Sequence, residues 1–226
     1  MTSAEEHLQE SYRLFSARDF KKAGKAAEKA FKEFSKHGPE SRALESLRVM
    51  ADSALNAREM KTARSLYEDL LKRASVRNMP FYQAAANWGL GESSLFEMDY
   101  ARATSHFKTG LEQASSISDA WYTAWNAFGL GKSYKGGGDP TSSRRYLQQA
   151  RSGFASQNQP TYVAWVDHML GELGTSAAAT SSGVETRVYQ CPICGSRFNV
   201  QQAQDFIVGK LVSCEYCGAA VGQRYT

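Results

Sequence analysis

Cys191, Cys194, Cys214 and Cys217 are all the cysteines of the 226-residue chain. They form two blocks, CPICG from Cys191 and CEYCG from Cys214, in the spacing C-x2-C-x19-C-x2-C. A CxxCG turn brings two thiolates and nearby N–H groups to one point, and its glycine accepts the positive φ that closes the turn. Two such turns supply four soft ligands, which suits one tetrahedral Zn2+ at about 2.3 Å. Four protein ligands fill the coordination shell, leaving no place for a reacting water, so the expected ion is structural. Iron on the same four sulfurs and a redox dithiol stand as alternatives. The redox reading needs one CxxC opening a helix of an α/β fold. His7, His37, His106 and His168 all lie upstream of the cysteines.

The sequence contains no nucleophile–base constellation, phosphate loop or usefully spaced carboxylate pair. GLGES (from Gly89) and GLGKS (from Gly129) lack a phosphate-loop frame. The Lys132-Ser133 pair of the second recurs as Glu92-Ser93 in the first, and recurrence marks a packing position. A non-catalytic protein is therefore expected. Net charge is +4 with 42% hydrophobic residues. That composition supports a sizeable core plus a small unit, and the charges are spread along the chain rather than concentrated as in a dedicated nucleic-acid binder. The acidic start MTSAEEHLQE is not expected to act as a signal peptide, and no apolar run is long enough for a membrane-spanning helix. Cysteines confined to one end fit a reducing compartment, so a cytoplasmic location is expected.

The elements that must present these groups are repeated. GLGES and GLGKS are offset by 40 residues, and stepping by 40 gives coherent columns. Ser11, Ala51, Gly91, Gly131 and Gly171 are all small, as are Ala23, Ala63, Ala103 and Ser143. Asp19, Glu59, Asp99 and Asp139 form an acidic column where a second helix should begin and its free N–H groups need an acceptor. Apolar residues recur at helical spacing, as in Ala63, Leu66, Tyr67, Leu70 and Leu71. This pattern predicts helix-turn-helix units at about 3–38, 41–78, 81–117 and 120–158, with a capping helix at 160–173. Residues 174–186, small and polar, predict a flexible linker.

Leu130 to Tyr134 (LGKSY) matches L-G-x2-Y, and Ala103 to Phe107 matches A-x3-F, with Ala63 to Tyr67 a tyrosine version. On these motifs residues 3–173 resemble the tetratricopeptide repeat. The period is longer than the family's 34, and Asn87 and Ala127 replace its first-helix tryptophan. The resemblance implies an all-α helical-repeat solenoid whose first helices line a concave, peptide-binding face. Carried over by position, that face comprises Tyr12, Arg48, Asp52, Trp88, Glu92, Trp125, Phe128, Lys132, Trp165 and His168. For the tryptophans, inter-repeat core is the commoner fate. Lys21, Lys22, Lys25, Lys29, Lys32 and Lys36 read as a solvated helix face before they read as a binding stripe.

Residues 187–226 are expected to form a small β domain, since Val188, Tyr189, Phe198, Val200, Phe206, Ile207, Val208, Leu211 and Val212 are β-prone. CPICGSRFNV followed by GKLVSCEYCG resembles the finger-like zinc ribbons of the CPxCG (MJ) type, which implies one structural Zn2+ on the four cysteines. So small a unit depends on its metal to fold. The expected function is a protein–protein adaptor that grips a protein or peptide on the repeats and uses the ribbon as a second contact. Neither a membrane nor a small-molecule substrate is expected. The alternative is a nucleic-acid-associated regulator, in which the ribbon touches DNA or RNA through Arg187, Arg197, Lys210 and Arg224.

Overall fold

A computed structural model describes residues 3–179, 189–191, 193–207 and 210–221. Among the described residues, nine helices form a stacked repeat: α1 (Ala4–Ser16), α2 (Phe20–His37), α3 (Glu40–Asn56), α4 (Met60–Val76), α5 (Pro80–Phe96), α6 (Tyr100–Ser116), α7 (Ala120–Gly136), α8 (Pro140–Ser156) and α9 (Pro160–Ala179). After them come α10 (Val200–Ile207), β1 (Val212–Ser213) and β2 (Ala220–Val221). From α2 onward a helix starts at 20, 40, 60 and so on to 160, so the 40-residue sequence period is two steps of the fold.

Three-residue links make that step possible. In nearly every link the middle residue is left-handed: Arg18, Arg58, Asn78, Met98, Ser118, Gly138 and Asn158 all have positive φ. The last N–H of each such link reaches back to the helix it leaves, as in Asp99 N to Ser94 O (2.9 Å) and Asp139 N to Tyr134 O (2.9 Å). This closes the helix end on an otherwise orphaned carbonyl. The next helix then starts on a cap. Asp19, Asp99, Asp119 and Asp139 each accept a hydrogen bond from the N–H three residues on. Glu59, in the same acidic column, makes no such bond. Pro80, Pro140 and Pro160 occupy first helical positions, where the missing N–H costs nothing.

Gly138 isolates the cost of the left-handed link, because a Cβ there (φ +82°) would meet nothing within 4 Å. Gly138→Ala should lose about 1–2 kcal/mol in denaturant unfolding through backbone strain alone. Met98→Gly, at φ 58°, should move stability the other way.

The small columns are sites of close approach. A Cβ on Gly91 would lie 2.6 Å from the Phe107 ring, and one on Gly131 would lie 2.6 Å from Leu147. Ala23, Ala63, Ala103 and Ser143 are fully buried. Helix α3 is buried on several sides, enclosing Ala43, Leu44, Leu47, Val49 and Ala51 through Ala54. By contrast α2 buries only Ala23, Ala26, Ala27 and Ala30. Its six lysines are all exposed, and Lys22 and Lys32 pair with Asp19 and Glu28.

Two expectations are corrected. Helix α9 runs on to Ala179, six residues into the expected linker, because the segment ends in alanines, the best helix formers. The remainder of the expected linker, 180–186, lies outside the described residues. Within the expected β unit, Val200, Phe206 and Ile207 belong to α10 rather than to strands. A reciprocal cap starts this helix: Gln202 N donates to Asn199 Oδ1 (2.8 Å), and Asn199 N donates to Gln202 Oε1 (3.0 Å). The β-structure is a two-stranded antiparallel sheet pairing Val212 with Val221 and Ser213 with Ala220.

The chain divides into two compact units, Met1–Ser93 with Ser105–Thr123, and Ser94–Thr104 with Ala124–Thr226. No helix among the described residues is long and apolar enough to cross a membrane.

Candidate metal centre and partner-binding face

The two CxxCG blocks fold as near-copies. Gly195 N donates to Cys191 O and Gly218 N to Cys214 O, both at 2.8 Å, with the glycines at φ 74° and 66°. Cys191 N then bonds Ser196 O, and Cys214 N bonds Ala219 O, again at 2.8 Å. Each turn thus points its two sulfurs inward, and all four sulfurs lie within 4.8 Å of one another. Cys191 and Cys217 are 3.7 Å apart across the turns, and Cys194 and Cys214 3.6 Å. A tetrahedron with metal–sulfur bonds of about 2.3 Å has edges of about 3.8 Å, so the donor set fits one such ion. Hydrogen bonding from Cys191 holds the Cys194 thiol below its ordinary range. The sulfurs are packed with Phe198, Val212, Ala219 and Val221. Gln202 Nε2 ties α10 to Ser213 O at 2.8 Å.

In the first compact unit, Tyr12, Arg48 and Asp52 are joined by Glu45. Tyr12 Oη donates to Glu45 at 2.5 Å, and Arg48 bonds both Glu45 (2.5 and 3.0 Å) and Asp52 (2.5 Å). Arg42 pairs with Glu5 on the same two helices. Below them Tyr67 Oη donates to Asp52 at 2.6 Å from a fully buried position. Burial and the neighbouring carboxylates hold the Tyr12 and Tyr67 phenols upward, so both stay donors. Burial also raises the Glu45 carboxyl, but bonds from Arg48 and Tyr12 and the charges of Arg48 and Arg42 outweigh it and hold Glu45 below its ordinary range. Trp88 packs partly buried against the cores around Leu90 and Tyr122, and Glu92 is half-buried.

In the second unit the aromatics pack on one another, with Phe128 and Phe154 buried and Trp125, Tyr162 and Trp165 half-buried. Phe128 is 2% exposed. Trp125 meets Phe128, Phe154 and Tyr162 edge-on at 4.9–6.0 Å, and Tyr162 in turn meets Trp165. Phe128 is therefore no free surface, because the ring wedges helices α7 and α8 together. Lys132 and His168 face the ribbon. Lys132 Nζ donates to Ile193 O (3.2 Å), and the His168 ring lies edge-on to Tyr216 with centroids 3.8 Å apart.

The roles of Tyr67 and Lys135 were missed from sequence. Tyrosine at the phenylalanine position of A-x3-F was the available signal for the first, since a buried hydroxyl requires a partner. Lys135 carried none.

No family model matches the chain, and no curated protein matches it. Solved structures do. Aspartyl phosphate phosphatase F from Bacillus subtilis matches with TM-score 0.68 at 14% identity over 79% of this chain and 47% of its own. The apo form of RapI matches with 0.68 at 16%, over 78% and 68%. A Rap protein complexed with Competence and Sporulation Factor matches with 0.69 at 15%, over 80% and 53%. The chain thus spans about half the length of two of these proteins. What they share with it is the TPR-like helical-repeat fold.

Proposed function

We propose that the chain is a non-catalytic protein–protein adaptor: its repeats bind a segment of a partner, and a structural zinc ribbon at residues 187–226 serves as a second module. The observation that carries this reading is the row Glu5–Arg42, Tyr12–Glu45 and Arg48–Asp52 on first helices α1 and α3. It is ordered by its own ion pairs and hydrogen bonds while Tyr12 stays 37% exposed. Side chains already fixed in place lose little entropy when a partner docks. The solved Rap structure with Competence and Sporulation Factor supports binding on such a fold. Two tethered contacts would raise avidity through effective concentration. Zinc is supported by the donor chemistry and by the sulfur spacing, which matches the edge of a tetrathiolate tetrahedron.

Affinity capture from native cells tests the adaptor reading. A Tyr12→Ala, Arg42→Glu double variant should keep its helical circular dichroism and lose the protein that wild type captures. Equal capture by both would end the assignment of this face.

The nucleic-acid alternative draws less support. Of the ribbon cations expected to serve it, Lys210 pairs with Asp205 (3.0 Å) and Arg197 Nε lies 4.0 Å from Glu172. Arg187 and Arg224 lie outside the described residues. Gel-shift titration should show no complex at low salt; binding that weakens steeply with salt would reinstate it.

A further inference from the structure

Helices α7 and α9 contribute Lys132, Lys135, His168, Met169 and Glu172, and all five face the ribbon. Lys132 Nζ donates to Ile193 O and Lys135 Nζ to Gly195 O, both at 3.2 Å. Those two carbonyls flank Cys194. Lys135 also pairs with Glu172, which accepts from Arg197 N at 2.8 Å. Met169 Cε is 3.2 Å from where a Cβ would stand on Gly195. These contacts engage the first knuckle. The second knuckle supplies Tyr216, whose ring sits on His168.

The docked surface is thus made of two knuckles 20 residues apart in sequence (Cys194 to Cys214). They meet at the sulfur cluster, which an ion would hold together, and Asn199 Nδ2 beyond the first knuckle adds a bond to Glu215 of the second (2.8 Å). An ammonium near a tetrathiolate site also gains more from the dianionic metal complex than from neutral thiols. Lys132 and His168 belong to the face that sequence columns assigned to a partner. Glu172 occupies the same column as Lys132, one repeat on.

We propose that the metal-loaded ribbon is an internal ligand of the α7–α9 face: it docks through both knuckles, and loss of the metal removes the ribbon from Lys132, Lys135, His168 and Glu172. Metal occupancy then controls whether this part of the repeat surface is covered by residues 189–221 or open. The inference rests on the zinc reading above and specifies what that ion regulates. Recognition runs through main-chain atoms: two lysines take carbonyls two residues apart, and a carboxylate takes an N–H. It therefore depends on the shape of the knuckle more than on its side chains.

Lysine acylation of the full chain, read by mass spectrometry with and without a chelator under reducing conditions, tests this. Zinc content is measured in the same samples. Lys132 and Lys135 should label at least about ten-fold faster in the stripped protein, as expected for loss of a charge-assisted hydrogen bond. The exposed lysines of α2 serve as unchanging references. Equal rates with one zinc per chain bound overturn the docking inference and leave the zinc reading standing; failure to take up zinc overturns both.

Linkage requires the reverse effect. The Lys132→Met, Lys135→Met double variant should bind zinc about 10–100-fold more weakly in chelator competition, the range for lost outer-shell partners. Lys135→Arg should restore part of the loss. Because the double variant alters the repeats, Tyr216→Ala is made on the ribbon side. It should speed labelling of both lysines by up to about ten-fold with zinc still bound. Unchanged affinity in the first variant, or unchanged labelling in the second, overturns the proposal.

Discussion

If the proposed zinc holds the ribbon, Cys191→Ser, Cys214→Ser should take the chain from one bound zinc to none and unfold the ribbon while the repeats stay helical. Among the described residues, the unit around the cysteines buries Phe198, Val212, Ala219 and Val221 beside the sulfurs, with Tyr189, Ile193 and Phe206 partly buried against them, and has strands of two residues each. A core this small does not offset the entropy of ordering its backbone at about 1–2 kcal/mol per residue. Metal binding in such sites supplies an apparent 10–16 kcal/mol, so the ion and the fold form together. Metal analysis should give one zinc per wild-type chain. Amide exchange over 189–221 should pass from protected to fast in the variant, with α3 and α4 unchanged. A chelator should reproduce the effect in wild type. Full protection of the ribbon in the metal-free variant would show that its apolar contacts suffice, and the structural role of zinc would be lost.

What the sequence made legible follows from what leaves a periodic trace. Helix packing does, because two backbones approach only where side chains are small. The columns through Gly91 and Gly131 carried that constraint, and a Cβ at either would strike Phe107 or Leu147. Acidic caps left the same kind of trace at Asp19, Asp99 and Asp139. The 20-residue step did not. Its marker is a left-handed link residue, and only Gly138, Asn78 and Asn158 are types that announce the conformation. Arg18, Arg58, Met98 and Ser118 are held there by the helices on either side.

In the ribbon, β-prone Val200, Phe206 and Ile207 outweighed the Asn199–Gln202 cap that starts α10. Spacing alone brought the four sulfurs together on paper, because each CxxCG turn is local. Ribbon docking was illegible, since Lys132 and Lys135 bind carbonyl oxygens, which every residue has. The aromatic columns carried two meanings: Trp125 and Phe128 are large and regularly spaced both in a groove and in a core, and here both pack on Phe154, with Phe128 buried and Trp125 half-buried.

Asp52→Ala should cost about 3–5 kcal/mol, the range for breaking a buried ion pair from one side. Asp52 is 9% exposed and takes two strong donors, Arg48 Nη1 at 2.5 Å and Tyr67 Oη at 2.6 Å. Removing it strands a phenol with no access to water and leaves the guanidinium with Glu45 as its remaining carboxylate among these bonds. A domain holds only about 5–15 kcal/mol in total, so the loss is a large part of it. Tyr67→Phe keeps the Arg48–Asp52 pair and gives up one hydrogen bond, so about 1–2 kcal/mol is expected. The double variant then separates packing from polarity. With the phenol already gone, Asp52→Ala should cost about 1–3 kcal/mol less than in wild type, the coupling typical of direct partners. Acid acts on the same network through Glu45. Its carboxyl is held below the ordinary range in the folded chain, so its contribution is present above the unfolded value of about 4.3 and disappears as pH falls through the folded one. Denaturant unfolding of the four proteins measures all of this. If Asp52→Ala and Tyr67→Phe added independently, the buried tyrosine would be serving the core by its ring alone, and the ordered row from Tyr12 to Asp52 would lose its anchor in α4.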